Sequence, residues 1–241
     1  MLLYISSNTR PDIQFAVHQA ARFTHNPKQS HAQAVKRIIR YLAGTSDKGI
    51  QFIPNALEGL DCYVDADFAG LYGYEDDADP VSVKSRTGFT LTLFGCPFIW
   101  SSKLQAEITL SSTAAEYVAF SMAMRELVPM RALLNEIADK MGLNLLSQSL
   151  FRSTVFEDNM GCLSMVSTPK VSQRNKYLSL KFHWFRSHLD LSGGKFDKDG
   201  VGTGSGIVAK YVNTTQQKAD IFTKGLPPEQ FRTIRKLLMG W

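Results

Sequence analysis

An α/β fold, with a mixed five-stranded sheet flanked by helices and a small helical unit before it, follows from three observations. Apolar residues recur at helical spacing through residues 8–44. From residue 49 the period changes to two, and three alternating segments follow one another. A long helical pattern, a short apolar run, further helical segments, a last short strand and a final helix come after them. That order packs as helices on the faces of a mixed sheet.

The elements can be justified in turn. In Thr9-Arg10-Pro11-Asp12, Thr9 is placed to cap a helix, Pro11 fits its first turn, and Asp12 meets the positive end of its dipole. Ile13, Ala16, Val17, Ala20 and Phe23 then form an apolar stripe, which Asn26-Pro27 breaks. Ser30 is placed to cap a second helix with Ala34, Val35, Ile38, Ile39 and Leu42 on one face. Lys36, Arg37 and Arg40 lie off that stripe, as a solvated basic face or as phosphate contacts. Cys62, Val64 and Ala66 alternate with Asp61, Tyr63 and Asp65 in the first strand. The acidic run Glu75–Pro80 reads as a solvated loop. Thr87–Phe94 alternates cleanly, and Gly95-Cys96-Pro97 turns the chain into a third strand through Phe98–Ser101.

Ser111-Ser112-Thr113 opens the longest helix, which runs to about Met141 and ends at Gly142. Pro129 lies inside it and is expected to kink or split it, because proline removes a backbone donor. Ser153–Phe156 is a short buried strand leading into Glu157-Asp158-Asn159, with a helix through Leu163 and Val166 after it. Residues 168–186 interleave Lys170, Arg174, Lys176, Lys181 and Arg186 with aromatic residues. Gly193–Gly206 reads as a flexible excursion without the spacing of a phosphate-binding loop. Ile207–Val212 is the last strand, and helices carrying Asp220 and Phe231–Leu238 close the chain.

Residues 1–50 carry seven Lys/Arg against two Asp/Glu, so the net charge of +5 lies in that first fifth and favours an anionic partner there. Cys62, Cys96 and Cys162 are odd in number and widely spaced, which speaks against a disulfide framework or a zinc site. Buried free thiols in a reducing, intracellular compartment are expected. No apolar run approaches the length of a membrane span, and no secretory signal is evident.

Four acids then stand out. Asp65 ends the first strand, Glu116 lies early in the long helix, Asp158 ends the fourth strand, and Asp220 starts a later helix. Hard divalent cations take oxygen ligands, and Mg²⁺ keeps water and phosphate oxygens in its shell. Two such ions held by a few carboxylates suit phosphodiester hydrolysis without a side-chain nucleophile. Three of them also have a plainer role: Glu116 as a solvated helix residue, Asp158 as an N-cap, Asp220 as a partner of the helix dipole.

The motifs make the chain recognisable. Thr9-Arg10-Pro11-Asp12-Ile13, Lys36–Thr45, Asp65-Ala66-Asp67-Phe68-Ala69-Gly70, Ser85–Phe89, Trp100–Gln105, Ser111–Tyr117, Asp158-Asn159 and Ala219–Lys224 occur in an order that resembles the C-terminal region of Pol polyproteins of copia-like LTR retrotransposons. That region comprises the tail of the reverse transcriptase and its ribonuclease H domain. The resemblance implies a helical, thumb-like unit over residues 1–48 and a ribonuclease H-like domain over 49–241. It implies an endonuclease that cuts the RNA strand of an RNA–DNA hybrid with two Mg²⁺ (or Mn²⁺) ions bound by Asp65, Glu116, Asp158 and Asp220. Asp65 and Asp158 are then the central ligands. Glu116 belongs to the ion nearest the scissile phosphate and the 2′-hydroxyl, and Asp220 to the ion near the attacking water.

Lys36, Arg37, Arg40, Arg174, Lys176 and Lys181 are the expected nucleic-acid contacts, and the polymerase domain of the same polyprotein is the expected neighbour. A cytoplasmic virus-like particle or the nucleus is the implied location. The alternative is a decayed retrotransposon fragment that binds nucleic acid without cutting. An integrase-type nuclease is disfavoured, since Ser192-Gly193-Gly194 occupy the region where its last glutamate belongs.

Overall fold

The computed structural model describes residues 1–55, 57–75, 78–142, 153–168, 178, 180–190 and 206–241. The sheet contains β1 (Leu60–Asp67), β2 (Arg86–Leu93), β3 (Cys96–Leu104), β4 (Ser153–Glu157) and β5 (Ile207–Tyr211), in the order β3-β2-β1-β4-β5. The first three are antiparallel; β4 runs parallel to β1, and β5 parallel to β4. This is the mixed sheet the sequence predicts, in a ribonuclease H-like α/β fold.

One face of the sheet is covered by α4 (Ser112–Lys140). Cys62, Val64 and Ala66 of β1, Phe89 and Leu91 of β2 and Val155 of β4 pack there against Ala115, Ala119, Ala123 and Leu127. The alanines let the helix axis approach the strands. Its start is fixed by Ser111, whose side chain accepts a hydrogen bond from the Ala114 amide. The helix runs unbroken through Pro129, so of the two expected outcomes, a kink or a split, the split does not occur. Pro129 is exposed, as is Arg125, whose carbonyl loses its partner, so water can satisfy that group and the helix need not end there.

The opposite face carries α6 (Asp220–Thr223) and α7 (Pro228–Met239), with Phe222, Ile234 and Leu238 packed against Tyr63 and Trp100. The closest approach is at Gly88. A Cβ there would stand 2.8 Å from Phe222 Cβ, 2.6 Å from Thr223 Cγ2 and 3.1 Å from the Ala219 carbonyl. Only glycine lets α6 lie on the sheet at this point.

The N-terminal unit consists of α1 (Leu2–Asn8), a 3₁₀ turn at Pro11–Ile13, α2 (Gln14–Ala21) and α3 (Gln29–Ala43), around Ile13, Val17 and Ile38. Its caps differ from those expected. Thr9 ends α1 rather than starting α2, and α3 begins after Lys28, whose amide donates to His31 Nδ1. Asp12 serves Arg10, which it receives in a two-pronged pair at 2.9 and 2.8 Å, and the Tyr41 hydroxyl at 2.6 Å. Arg10 lies over the rings of Tyr41 and Trp241, and Trp241 also stacks with Arg235. Thus the Thr9–Ile13 motif ties the N-terminal unit to α7. Trp100 Nε1 donates to the Ser6 carbonyl at 2.7 Å, joining the same unit to β3.

The acidic run is less free than expected, since Arg22 forms a two-pronged pair with Glu75 at 2.8 and 2.9 Å; Asp76 and Asp77 lie outside the described residues. The described aromatics of the basic stretch belong to the core: Phe182 and Phe185 are buried, and Trp184 Nε1 donates to Ser121 Oγ on α4; Tyr177 lies outside the described residues. Cys62, Cys96 and Cys162 are free and buried, as expected. No helix among the described residues is long and apolar enough to cross a membrane.

The Gly88→Ala substitution is expected to cost about 1–3 kcal/mol, the range for overpacking a filled core. Urea unfolding followed by circular dichroism measures it, and a loss under about 0.5 kcal/mol would show that α6 yields easily.

Candidate metal centre

The parallel pairing of β1 and β4 builds the centre. Tyr63 stands opposite Phe156, and their rings stack at 4.7 Å. Two residues further along each strand, Asp65 and Asp158 therefore emerge side by side at the carboxyl ends, on the face that α6 covers. Asp220 is the first residue of α6, which Gly88 admits against β2. Ligand oxygens of Asp65, Asp158 and Asp220 lie within 4.8 Å of one another. Glu157 has the opposite parity and shares the α4 side with Val155. There it meets Glu116, and oxygens of Glu116, Glu157 and Asp158 also lie within 4.8 Å of one another. Asp158 is common to both groups.

Neighbours hold these side chains in place. Thr223 Oγ1 donates to Asp65 Oδ2. Thr214 Oγ1 donates to Asp158 Oδ2 at 2.7 Å, and Gln230 Nε2 donates to Asp220 Oδ2 at 3.2 Å. The N-cap of α5 (Met160–Ser167) is Asn159, which leaves Asp158 free of that duty. Lys224 Nζ lies 2.9 Å from Asp220 Oδ1 and 3.6 Å from Asp65 Oδ2. Glu116 Oε2 and Glu157 Oε2 are buried without a hydrogen-bond partner.

Burial and mutual repulsion disfavour the charged forms. Burial pushes Asp65 up against the opposing pull of Lys224 and Thr223. Burial raises Glu116 well above the ordinary carboxylate range, with Glu157 adding to the shift. Glu157 is likewise held well above it, chiefly by burial. Asp220 is pushed up to about 7 by burial and by Asp65. Burial lowers Lys224, but Asp65 and Asp220 outweigh it and raise its pKa.

This donor set fits a hard divalent cation. Oxygens around Mg²⁺ at about 2.0–2.1 Å stand about 3 Å apart when adjacent and about 4.2 Å when opposite, so each trio would draw together around an ion. The orphaned oxygens of Glu116 and Glu157 would gain the partner they lack, and the repulsion would be offset.

All four acids expected from the sequence thus converge. Glu116 is 6% exposed on α4 rather than solvated, Asn159 takes the cap in place of Asp158, and Asp220 stays in the first turn of α6, where it also meets the helix dipole. Glu157 is the residue that sequence reasoning missed. Its signal was an acid on the buried parity of an apolar strand, after Ser153 and Val155. Lys36, Arg37 and Arg40 are exposed on α3. Lys181 pairs with Glu107. Arg174 and Lys176 lie outside the described residues.

A ribonuclease H-like fold with carboxylates gathered at the ends of β1 and β4 defines the class of protein. The comparisons with known proteins define the family. The chain is 31% identical over 239 residues, 98% of its length, to the retrovirus-related Pol polyprotein from transposon TNT 1-94 of Nicotiana tabacum. It is 32% identical over 226 residues to the corresponding polyprotein from transposon RE1 of Arabidopsis thaliana. It spans 16% and 13% of the length of these two relatives. It is also 38% identical over 127 residues to secreted RxLR effector protein 161 of Plasmopara viticola, covering 53% of this chain and 84% of that protein. Neither a protein-family profile nor a solved structure matches it. The chain belongs to the retrovirus-related Pol polyproteins of copia-like transposons.

Two outcomes are expected of the metal-free chain. Asp65, Glu116, Glu157 and Asp220 have raised pKa values in the fold, so the native state binds more protons than the unfolded one, and stability falls as pH rises. In EDTA the melting temperature should therefore drop between pH 5 and 8, and Asp220→Asn should flatten that slope. An unchanged slope in the variant would mean that Asp220 keeps its proton equilibrium on unfolding. Lys224→Met should destabilise the metal-free chain at pH 8 by about 1 kcal/mol, a modest value because the lysine is partly solvated. Saturating Mn²⁺ should shrink that difference, as thermal melts with and without the ion would show.

Proposed function

We propose that residues 49–241 are a metal-dependent endonuclease hydrolysing the RNA strand of RNA–DNA hybrids, within the Pol polyprotein of a retrotransposon. Residues 1–48 are then the thumb-like tail of the reverse transcriptase, next to its polymerase domain. The convergence of Asp65, Glu116, Asp158 and Asp220 from four separate elements carries this reading. Acids so far apart in sequence are gathered and buried at a net electrostatic cost, which a bound cation offsets.

Asp65, Glu116, Asp158 and Asp220 would hold two Mg²⁺ or Mn²⁺ ions. Bound there, the ions supply a nucleophile at neutral pH and stabilise charge on the phosphate and leaving oxygen. The chain's own part is positioning. Thr223 orients Asp65, Thr214 orients Asp158, and Gln230 orients Asp220, so the ligand oxygens are preorganised. Asp158, half-buried, lies nearest the solvent from which substrate enters. Lys224 neutralises Asp65 and Asp220 before metal arrives. The exposed bases Lys36, Arg37 and Arg40 offer phosphate contacts that confer affinity without sequence preference.

Incubation with a labelled RNA–DNA hybrid and Mg²⁺ tests the reading. The chain should cut the RNA strand and leave the DNA intact. Asp65→Asn should cut at least about a hundredfold more slowly, since losing a ligand should cost no less than losing a residue that supports one. Hybrid binding without cleavage would favour the decayed, binding-only fragment. Cleavage surviving in Asp65→Asn would remove Asp65 from the centre.

A further inference from the structure

Glu157 lies outside the four acids that the resemblance assigns. It is fully buried, on the last position of β4, and faces α4 rather than α6. One of its oxygens is anchored: Oε1 accepts the Asn159 amide at 3.0 Å. The other, Oε2, is buried with no hydrogen-bond partner, and so is Glu116 Oε2 beside it. A carboxylate with one oxygen fixed by backbone and the other free is oriented as a metal ligand is oriented by its supporting shell. A side chain that served only packing would be better filled by an apolar residue, as at Val155 on the same strand face.

We infer that Glu157 is a direct ligand of a second divalent-cation position, formed with Glu116 and Asp158. The inference rests on the proposed metal-dependent reading. The first position is the trio Asp65, Asp158 and Asp220, and the second the trio Glu116, Glu157 and Asp158; each has its oxygens within 4.8 Å. Asp158 belongs to both groups and would be shared by the two positions. Each position has private ligands: Asp65 and Asp220 for one, Glu116 and Glu157 for the other. Lys224 contacts both private ligands of the first position, so only the second lacks a protein cation among the contacts described. A hard cation bound between them would give both orphaned oxygens a partner.

Calorimetric titration of the whole chain with Mn²⁺ alone, without nucleic acid, tests this. Two binding events per chain are expected. Glu157→Gln should abolish one or weaken it at least about tenfold and leave the other within about threefold. Glu116→Gln should affect the same event, whereas Asp220→Asn should affect the other. Circular dichroism melts establish that each variant is folded; if Glu157→Gln is not, Glu116→Gln and Glu157→Asp carry the test, both weakening the same event. Two unchanged events in Glu157→Gln, or in Glu116→Gln together with Glu157→Asp, would overturn the second position. A single event in the wild-type chain, lost in Asp220→Asn, would overturn it too and reduce the proposed centre to one ion, while metal-dependent cleavage of the hybrid would stand or fall on its own assay. No Mn²⁺ binding at all would overturn both.

Discussion

The energetic problem at the heart of this structure is the burial of several carboxylates at one end of its sheet. Asp65, Glu116, Glu157 and Asp220 are all nearly or fully removed from water, and Asp158 is half-buried among them. Burial and like charge both oppose ionisation, so each of the four buried acids titrates above its ordinary range. One lysine faces this group, and it reaches only Asp65 and Asp220. Glu116 and Glu157 must keep protons or take a cation. The rest of the fold is arranged so that this costly cluster is held together.

Two features of the backbone do most of the holding. The parallel pairing of β1 and β4 sets Asp65 beside Asp158, because equal offsets from Tyr63 and Phe156 bring them to the same height and face. The absent side chain of Gly88 lets α6 settle on β2, which delivers Asp220 and Lys224 from the far end of the chain. On the other face, small residues of α4 allow a close approach, and Glu116 arrives from that side. Elements on both faces thus contribute to one centre, and the strand ends are where they can meet.

The N-terminal unit is integrated by different chemistry. Arg10, Asp12, Tyr41, Arg235 and Trp241 form a polar and stacked network that links it to α7. Trp100 and Arg86 extend the contact to the sheet through Ser6 and Gln19. The Thr-Arg-Pro-Asp motif reads locally as a helix start, but its arginine and aspartate act across a distance in sequence. Local capping rules describe what a residue can do; the nearest charged partner decides what it does.

Periodicity alone was enough to read the strands, the long helix and their order, since alternation and helical spacing express which side of an element is buried. The four expected acids were also legible, because each sits at the end of a well-marked element. Glu157 was not, because parity is a property of the strand while a partner across the interior belongs to the assembled fold. Only the tertiary structure decided that Asp158, rather than Asp65, is shared by both carboxylate groups. It also decided that Asn159 takes the helix cap and that Phe182, Trp184 and Phe185 of the basic stretch serve the core. In each case several roles were chemically open to the residue, and packing brought one partner within reach.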